Sequence, residues 1–174
     1  MTGQAVGFLV IDRLHLPLAH SQEAIGIVLM IGAAAALLVQ WGLIPLFNLE
    51  PRVMMMIGLV ISAIGCATTG VADSLYGIAT AYALACIGFG FSRPAFTAGA
   101  SLSVDRKLQG SVAGQVTSVN GAAFVLGPSI GVGLYELWGP LPYFLSAAIL
   151  ALLIPYVLVR IKPTESAGAA SSEQ

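Results

Sequence analysis

The amino-acid sequence predicts an all-α integral membrane protein of about five membrane-crossing helices, with a partial helix before them. Of its 174 residues, 57% are hydrophobic and only 9% are charged, and the mean hydropathy is +0.92. A soluble domain carries about a quarter charged residues and needs polar side chains to cover its surface, whereas an apolar exterior is stable in lipid. The apolar residues also fall into long runs, which basic residues interrupt at alternate links.

Each of five runs carries few or no charged residues and reaches or approaches the about 20 residues that a membrane-crossing helix needs. Backbone N–H and C=O groups find no water in hydrocarbon, so each run is predicted to be a helix. The runs lack the alternation of apolar and polar residues that a transmembrane β-barrel strand requires. They cover residues 24–46, 53–72, 75–98, 108–134 and 141–159.

The two ends of the chain differ from these runs. Residues 3–13 read as the last part of a helix, but eleven helical residues cover only about 16 Å, roughly half a bilayer. We therefore expect that the chain begins inside a helix, as a truncated reading frame or a fragment would. Residues 163–174 are small and polar. They are predicted to form a disordered tail after a transmembrane bundle over residues 1–162.

Basic residues are concentrated on one side of the predicted bundle. The links between runs are short, so successive helices are predicted to be antiparallel neighbours. Apart from Arg93, one side carries only Arg13, and the other carries Arg52, Arg106, Lys107, Arg160 and Lys162. By the positive-inside rule, the second side and the C-terminus are predicted to be cytoplasmic.

Several kinds of chemistry have no support in the sequence. The net charge of −1 gives no indication of a nucleic-acid partner. Cys66 and Cys86 show no CxxC spacing and are interpreted as small packing residues. His15 and His20 lie in a predicted outer loop without a convincing set of metal ligands. We find no nucleophile–base pair and no phosphate-binding loop, so no catalytic residue, metal or cofactor is predicted.

Arg93 is the one basic residue deep in a run, about 19 residues into the third run. Two interpretations stay open. The side chain could reach the cytoplasmic membrane surface and bind lipid phosphate. Alternatively, the third helix continues to Ser103 and Arg93 faces a cavity inside the bundle. The residue count favours an interface or cytoplasmic-gate position.

Amide and aromatic side chains inside the runs are further candidates, because polar groups in a membrane are costly. Asn120 lies near the middle of the fourth run, and both a cavity role and a helix-to-helix hydrogen bond stay open for it. For Gln40 and Tyr82 the hydrogen-bonding role is favoured. Small residues at four-residue spacing predict close helix packing, and Gly127-Pro128 predicts a bend in the fourth run.

The fourth run carries the sequence motif with the most specific resemblance. Residues 108–135 read LQGSVAGQVTSVNGAAFVLGPSIGVGLY. This segment resembles the eleventh helix of drug/proton antiporters of the major facilitator superfamily, the tetracycline-efflux type included. In those helices an LQG turn is followed by a T-S pair and a GP bend. The segment around Gly127 and Pro128 is also similar to the antiporter motif GxxxGPxxGG of the fifth helix, from which Ala123 and Val132 depart.

The resemblance implies that residues 3–13 end the seventh helix and that the five runs are helices eight to twelve. The chain would then be the C-terminal half of a carrier. By analogy with the family, the substrate-cavity candidates are Gln40, Tyr82, Phe89, Asn120 and Phe124. The conformational or gate candidates are Arg93, Gly127, Pro128 and Gly131. The implied partners are the lipid bilayer, a small-molecule substrate, protons and a missing N-terminal half.

The resemblance implies secondary active transport, namely proton-coupled export of a small organic compound or drug across a cell membrane, the bacterial inner membrane. Intramembrane carboxylates for proton coupling are absent from the sequence, since Asp12 and Glu136 are predicted near the outer surface. An alternative is a small membrane-embedded binding or assembly protein that acts as a half-size unit. A membrane enzyme is disfavoured.

The predicted topology can be tested by labelling. Single cysteines at Ser74 and Ser103, in a background with Cys66→Ala and Cys86→Ala, are expected to react with an impermeant maleimide from opposite faces of the membrane. Ser74→Cys should label in intact cells, and Ser103→Cys only in inverted membrane vesicles. Labelling of both positions from one face would contradict the topology.

Overall fold

The computed structural model describes residues 2–15, 17–47, 49–102 and 104–160. The ordered elements in these ranges are all helices, and the tail predicted at 163–174 lies outside them. The elements are α1 (Thr2–Leu14), α2 (Leu18–Leu37), a π-helical segment (Leu38–Leu43), α3 (Ile44–Phe47), α4 (Pro51–Val71), α5 (Leu75–Leu102), α6 (Gln109–Leu137) and α7 (Leu141–Arg160).

Five helical stretches in the described ranges are long and apolar enough to cross a membrane. They are His20–Phe47, Pro51–Val71, Leu75–Ser101, Gln109–Leu137 and Leu141–Val159. The first stretch is one continuous helix that contains most of α2, the π segment and α3. The all-α membrane class predicted from composition is therefore confirmed. The third stretch extends past the predicted limit at residue 98, so α5 continues through Pro94 without a break.

Because the links are short, the spans alternate in direction and the bundle has two ends. The end where α4 begins carries Arg52 and is named the Arg52 end. The end where α4 finishes carries Asp73 and is named the Asp73 end. Each helix start has a local cause. Pro51 occupies the first turn of α4, where its missing N–H costs nothing. The Ser74 hydroxyl accepts a hydrogen bond of 3.1 Å from the backbone N–H of Gly77 and caps α5.

The closest packing in the bundle joins α4 to α5. A Cβ atom added to Gly58 would lie 2.7 Å from the carbonyl oxygen of Gly88, and one added to Gly65 would lie 2.6 Å from the Cα of Ala85. The two backbones are therefore in contact, and only glycine fits at these positions. The Ser62 hydroxyl donates to the carbonyl of Gly58 at 2.6 Å, so this buried polar group is satisfied within its own helix.

Helix α2 packs against α5, and helix α7 packs against α4. On α5, the ring of Tyr82 lies over Gly32 of α2, where an added Cβ would be 2.8 Å from Cδ1. On α4, Gly70 faces Tyr143 of α7, and an added Cβ would be 3.2 Å from the Cβ of Tyr143. At the Arg52 end, where α4 begins and α7 finishes, the Arg52 guanidinium donates to the carbonyl of Leu158 at 3.0 Å.

The main apolar core lies towards the Asp73 end and collects side chains from four helices. Val6 and Leu9 of α1 pack with Val28 of α2, Ile78 of α5 and Tyr143 of α7, and all five are fully buried. A second cluster towards the Arg52 end joins the π segment to α4 and α5 through Val39, Met54, Phe91 and Ala95. These clusters fix the relative positions of α1, α2, α4, α5 and α7.

Helix α6 packs differently from the others. Its buried residues among those described are Gly127 and Gly131, both in its second half. Near its end, the Tyr135 hydroxyl donates to Asp12 Oδ2 at 2.7 Å, and the rings of Phe8 and Tyr135 lie 6.0 Å apart. Residues 109–126 are mostly exposed. The first half of α6 is thus left uncovered by the described helices.

Gly88→Leu is expected to lower the free energy of unfolding by about 3 kcal/mol or more, because the new side chain would push the α4 and α5 backbones apart. SDS-induced unfolding in mixed micelles measures the change. Gly26→Leu is the matched control, since an added Cβ there meets nothing within 4 Å. Equal effects of both substitutions would argue against backbone contact as the basis of the α4–α5 packing.

Candidate functional site

Gln40 lies in the π segment, which results from a backbone hydrogen bond with a wider spacing than in an α-helix. The N–H of Ile44 donates to the carbonyl of Val39, five residues back, instead of to the carbonyl of Gln40. The next residue is Pro45, which has no N–H to donate. The Gln40 carbonyl therefore lacks a backbone donor at both the α-helical and the π-helical spacing. The side chains of Gln40 and its neighbour Trp41 are exposed. Single π-helical turns are frequent at functional sites.

Tyr82 occupies a packing position. Its half-buried ring lies against Gly32 of α2, and a Cβ added to Gly3 of α1 would be 3.1 Å from its hydroxyl oxygen. It therefore contacts α1 and α2 from α5. Phe89 is half-buried on the same helix. The sequence favoured a helix-to-helix hydrogen bond for Tyr82, and this hydrogen bond stays a prediction, since these contacts with α1 and α2 are packing contacts.

Arg93 lies within α5, which continues to Leu102. The second interpretation of Arg93 requires a third helix that continues past this residue, and α5 does so. The cavity-facing position of the Arg93 side chain stays a prediction. The side chain is exposed, and no hydrogen bond or ion pair joins its guanidinium to another residue in the described ranges. Among the Asp, Glu, Lys and Arg residues of the five spans, Arg93 alone lies away from a span end.

The candidates on α6 fall into two groups. Asn120 and Phe124 are exposed, with 73% of Phe124 accessible. Gly127 and Gly131 are buried, and Pro128 between them is half-buried. Two hydroxyl groups in the exposed half, those of Thr117 and Ser118, donate to carbonyls four residues back. The amides of Gln115 and Asn120 thus remain available as hydrogen-bonding groups on the uncovered surface.

A polar cluster at the Asp73 end was not predicted from the sequence. Arg13 forms an ion pair with Asp73, and its guanidinium also donates to the carbonyl of Gly70 at 3.4 Å. Next to it, Asp12 accepts the hydrogen bond from Tyr135. The cluster ties the end of α1 to the α4–α5 link and to α6. The sequence could have indicated this cluster, because the predicted topology places Asp12, Arg13 and Asp73 on the same side of the membrane.

The described residues contain no group of three or more His, Cys, Asp or Glu side chains that could hold a metal ion together. The five candidate positions for the cavity also do not form one contact cluster. Tyr82 packs against α1 and α2, whereas Gln40, Asn120 and Phe124 are exposed on the π segment and α6. The candidates therefore lie on three separate stretches, namely the π segment, α5 and α6.

Comparison with known proteins identifies the family. A family model described as Major Facilitator Superfamily matches residues 3–174. Neither a curated protein nor a solved structure matches the chain. The family generally consists of transporters, and the five apolar helices are those of a multi-pass membrane protein. Since the match extends over nearly the whole chain, the chain belongs to the Major Facilitator Superfamily.

Proposed function

We propose that this chain is part of a secondary active transporter that exports a small organic compound in exchange for protons. Family membership supports a function in membrane transport. The observation that carries the finer proposal is the exposed first half of α6, which presents Gln115, Asn120 and Phe124 outside the packed core. Secondary transporters bind their substrates near the middle of the membrane, at the interface between two bundles. An uncovered surface with amides and a large aromatic ring suits such an interface.

The chain is proposed to be the C-terminal half of the carrier, with residues 1–162 as one half-bundle and residues 163–174 as a tail. The segment 108–135, which resembles the eleventh helix of drug/proton antiporters, supports this assignment. An N-terminal half would complete the cavity from the opposite side.

Proton coupling is proposed to depend on a carboxylate of the other half. The carboxylates in the five described spans are Glu23 and Glu136, and both lie near the Asp73 end of the bundle. Asp12 lies at that end too and accepts a hydrogen bond from Tyr135. A proton-binding group near the middle of the membrane would therefore come from elsewhere in the complete protein.

Within this half, Gln40, Phe89, Asn120 and Phe124 are proposed to line the cavity, and Tyr82 to brace its wall. Gly127, Pro128 and Gly131 are proposed as the bending point of α6. Their place in the helix supports this, because they separate the exposed first half from the half that packs against α1. The membrane is proposed to be the bacterial inner membrane, with the Arg52 end in the cytoplasm by the positive-inside rule.

A second candidate is a half-size unit that assembles with another copy of itself. The small residues on the first half of α6 favour it, since Cβ atoms added to Gly110 and Gly114 meet nothing within 4 Å. Such a surface lets a helix of a second copy approach closely.

The size of the native gene product separates these candidates. An antibody to the tail at 163–174 is expected to detect a band about twice the calculated 17.9 kDa or larger in membranes of the source cell. That complete protein, reconstituted in proteoliposomes, should then acidify or alkalinise the lumen when its substrate is added. A single band near 17.9 kDa would contradict the truncated-carrier proposal and favour the half-size unit.

Asn120→Leu in the complete protein is expected to change the preference among transported compounds by about tenfold, because it removes a hydrogen-bonding amide from the cavity. The amount of protein in the membrane should stay the same. Val119→Leu, at an exposed neighbouring position of the same helix, is the matched control. If Asn120→Leu lowered abundance and left substrate preference unchanged, Asn120 would be a packing residue.

A further inference from the structure

Three exposed polar side chains lie at a similar depth on three different helices. Gln40 is seven residues from the end of α3, Gln115 is six residues from the start of α6, and Arg93 is nine residues from the end of α5. At about 1.5 Å per residue, these positions are about 10, 9 and 14 Å from the Arg52 end. We name Gln40, Arg93 and Gln115 the polar ring.

Packing between α2 and α5 brings two members of this ring to neighbouring helices at one level. Val39, directly before Gln40, packs against Gly90, one turn before Arg93, where an added Cβ would be 3.1 Å from the Cβ of Val39. The two helices run in the same direction, since Gly32 meets Tyr82 and Val39 meets Gly90. The third member, Gln115, is on α6, which follows α5 after a short link.

The depth of Arg93 can be checked against a different helix. Its neighbour Ser92 faces Gly58 of α4, where an added Cβ would be 2.8 Å from the backbone nitrogen of Ser92. Gly58 is seven residues from the start of α4, or about 10 Å from the Arg52 end. Two independent helices therefore place Arg93 well below that end, at the level of the other two members.

The guanidinium of Arg93 has no compensating charge in the described part of the chain. It lies within electrostatic range of Tyr82 and Cys86, and neither of these is an acid at neutral pH. An unpaired cation inside a membrane span is costly and marks a functional position. Guanidinium groups bind carboxylate and phosphate oxygens through two parallel hydrogen bonds. The Gln40 and Gln115 side chains carry amide N–H groups that can donate to oxygens of the same kind.

We propose that the polar ring recognises the carboxylate or phosphate group of a small organic anion. This inference rests on the proposed transport function and narrows its substrate class to organic anions. The cation supplies the selectivity for charge, and the two amides orient the anion. A phospholipid headgroup carries the same oxygen chemistry, so the test must separate a free anion from a lipid.

The test measures binding to the gene product at its native length, purified in a maltoside detergent, which contains no phosphate. Equilibrium dialysis gives the Kd of 2-naphthoate, 2-naphthyl phosphate and the neutral 2-naphthamide. Arg93→Gln is expected to weaken binding of at least one of the two anions by about tenfold or more, and Arg93→Lys by less, since lysine keeps the charge and loses the two-pronged geometry. Gln40→Leu and Gln115→Leu should each weaken it severalfold. Arg106→Gln, in the exposed α5–α6 link, should leave it unchanged.

Chemical modification gives a measurement that needs no variant. Phenylglyoxal reacts with accessible arginines, and the anion is expected to protect Arg93, but not Arg106, as read by mass spectrometry of the peptides. Absence of Arg93-dependent binding or protection with both anions would overturn the proposal. So would displacement of the anion by phosphatidylglycerol, which would assign the site to a lipid headgroup. Proton-coupled transport of a neutral compound that Arg93→Gln leaves unchanged would also overturn it, while the proposed transport function would stand.

Discussion

The contact between the backbones of α4 and α5 is the constraint on which the rest of the bundle depends. Lipid chains are as apolar as leucine, so membrane helices gain little from hiding apolar surface against each other, and close fit must hold them together. Glycines at 58, 65 and 88 remove the side chains that would separate the two helices. This pair then carries the others, with α2 on the α5 side through Tyr82 and α7 on the α4 side through Tyr143.

Much of this fold could be predicted from the sequence because length and hydropathy decide which segments cross a membrane. The small-residue spacing also indicated close helix packing. Contacts between distant segments could not be predicted in this way. No periodicity in the chain shows that Tyr82 lies over Gly32, or that Asp12 accepts a hydrogen bond from Tyr135 across 123 residues. The π segment also escaped prediction, since it depends on which carbonyl Ile44 binds near Pro45.

The candidate site shows the same division between local and distant information. The sequence identified polar residues in apolar runs, and the structure shows them exposed on α5, α6 and the π segment, while their role in binding stays a prediction. It could not show that α5 continues beyond Arg93, because a proline directly after an arginine also suits a helix end. The helix continues past Arg93, and the Arg93 carbonyl accepts a hydrogen bond of 3.1 Å from the Thr97 hydroxyl.

The π segment also determines the register of everything that follows it in the first span. A π-helical turn accommodates one residue more than an α-helical turn, so its conversion to regular α-helix would rotate α3 by about 100° and displace it along the axis by about 1.5 Å. The Gln40 carbonyl has no backbone donor at the α-helical or the π-helical spacing, so no hydrogen bond at either of these spacings has to break in such a change. Helix α3 ends three residues before Glu50, whose carbonyl accepts a hydrogen bond from the Met54 N–H at the start of α4. A change of register in α3 would therefore be transmitted to α4 through this short link as a combined rotation and axial displacement.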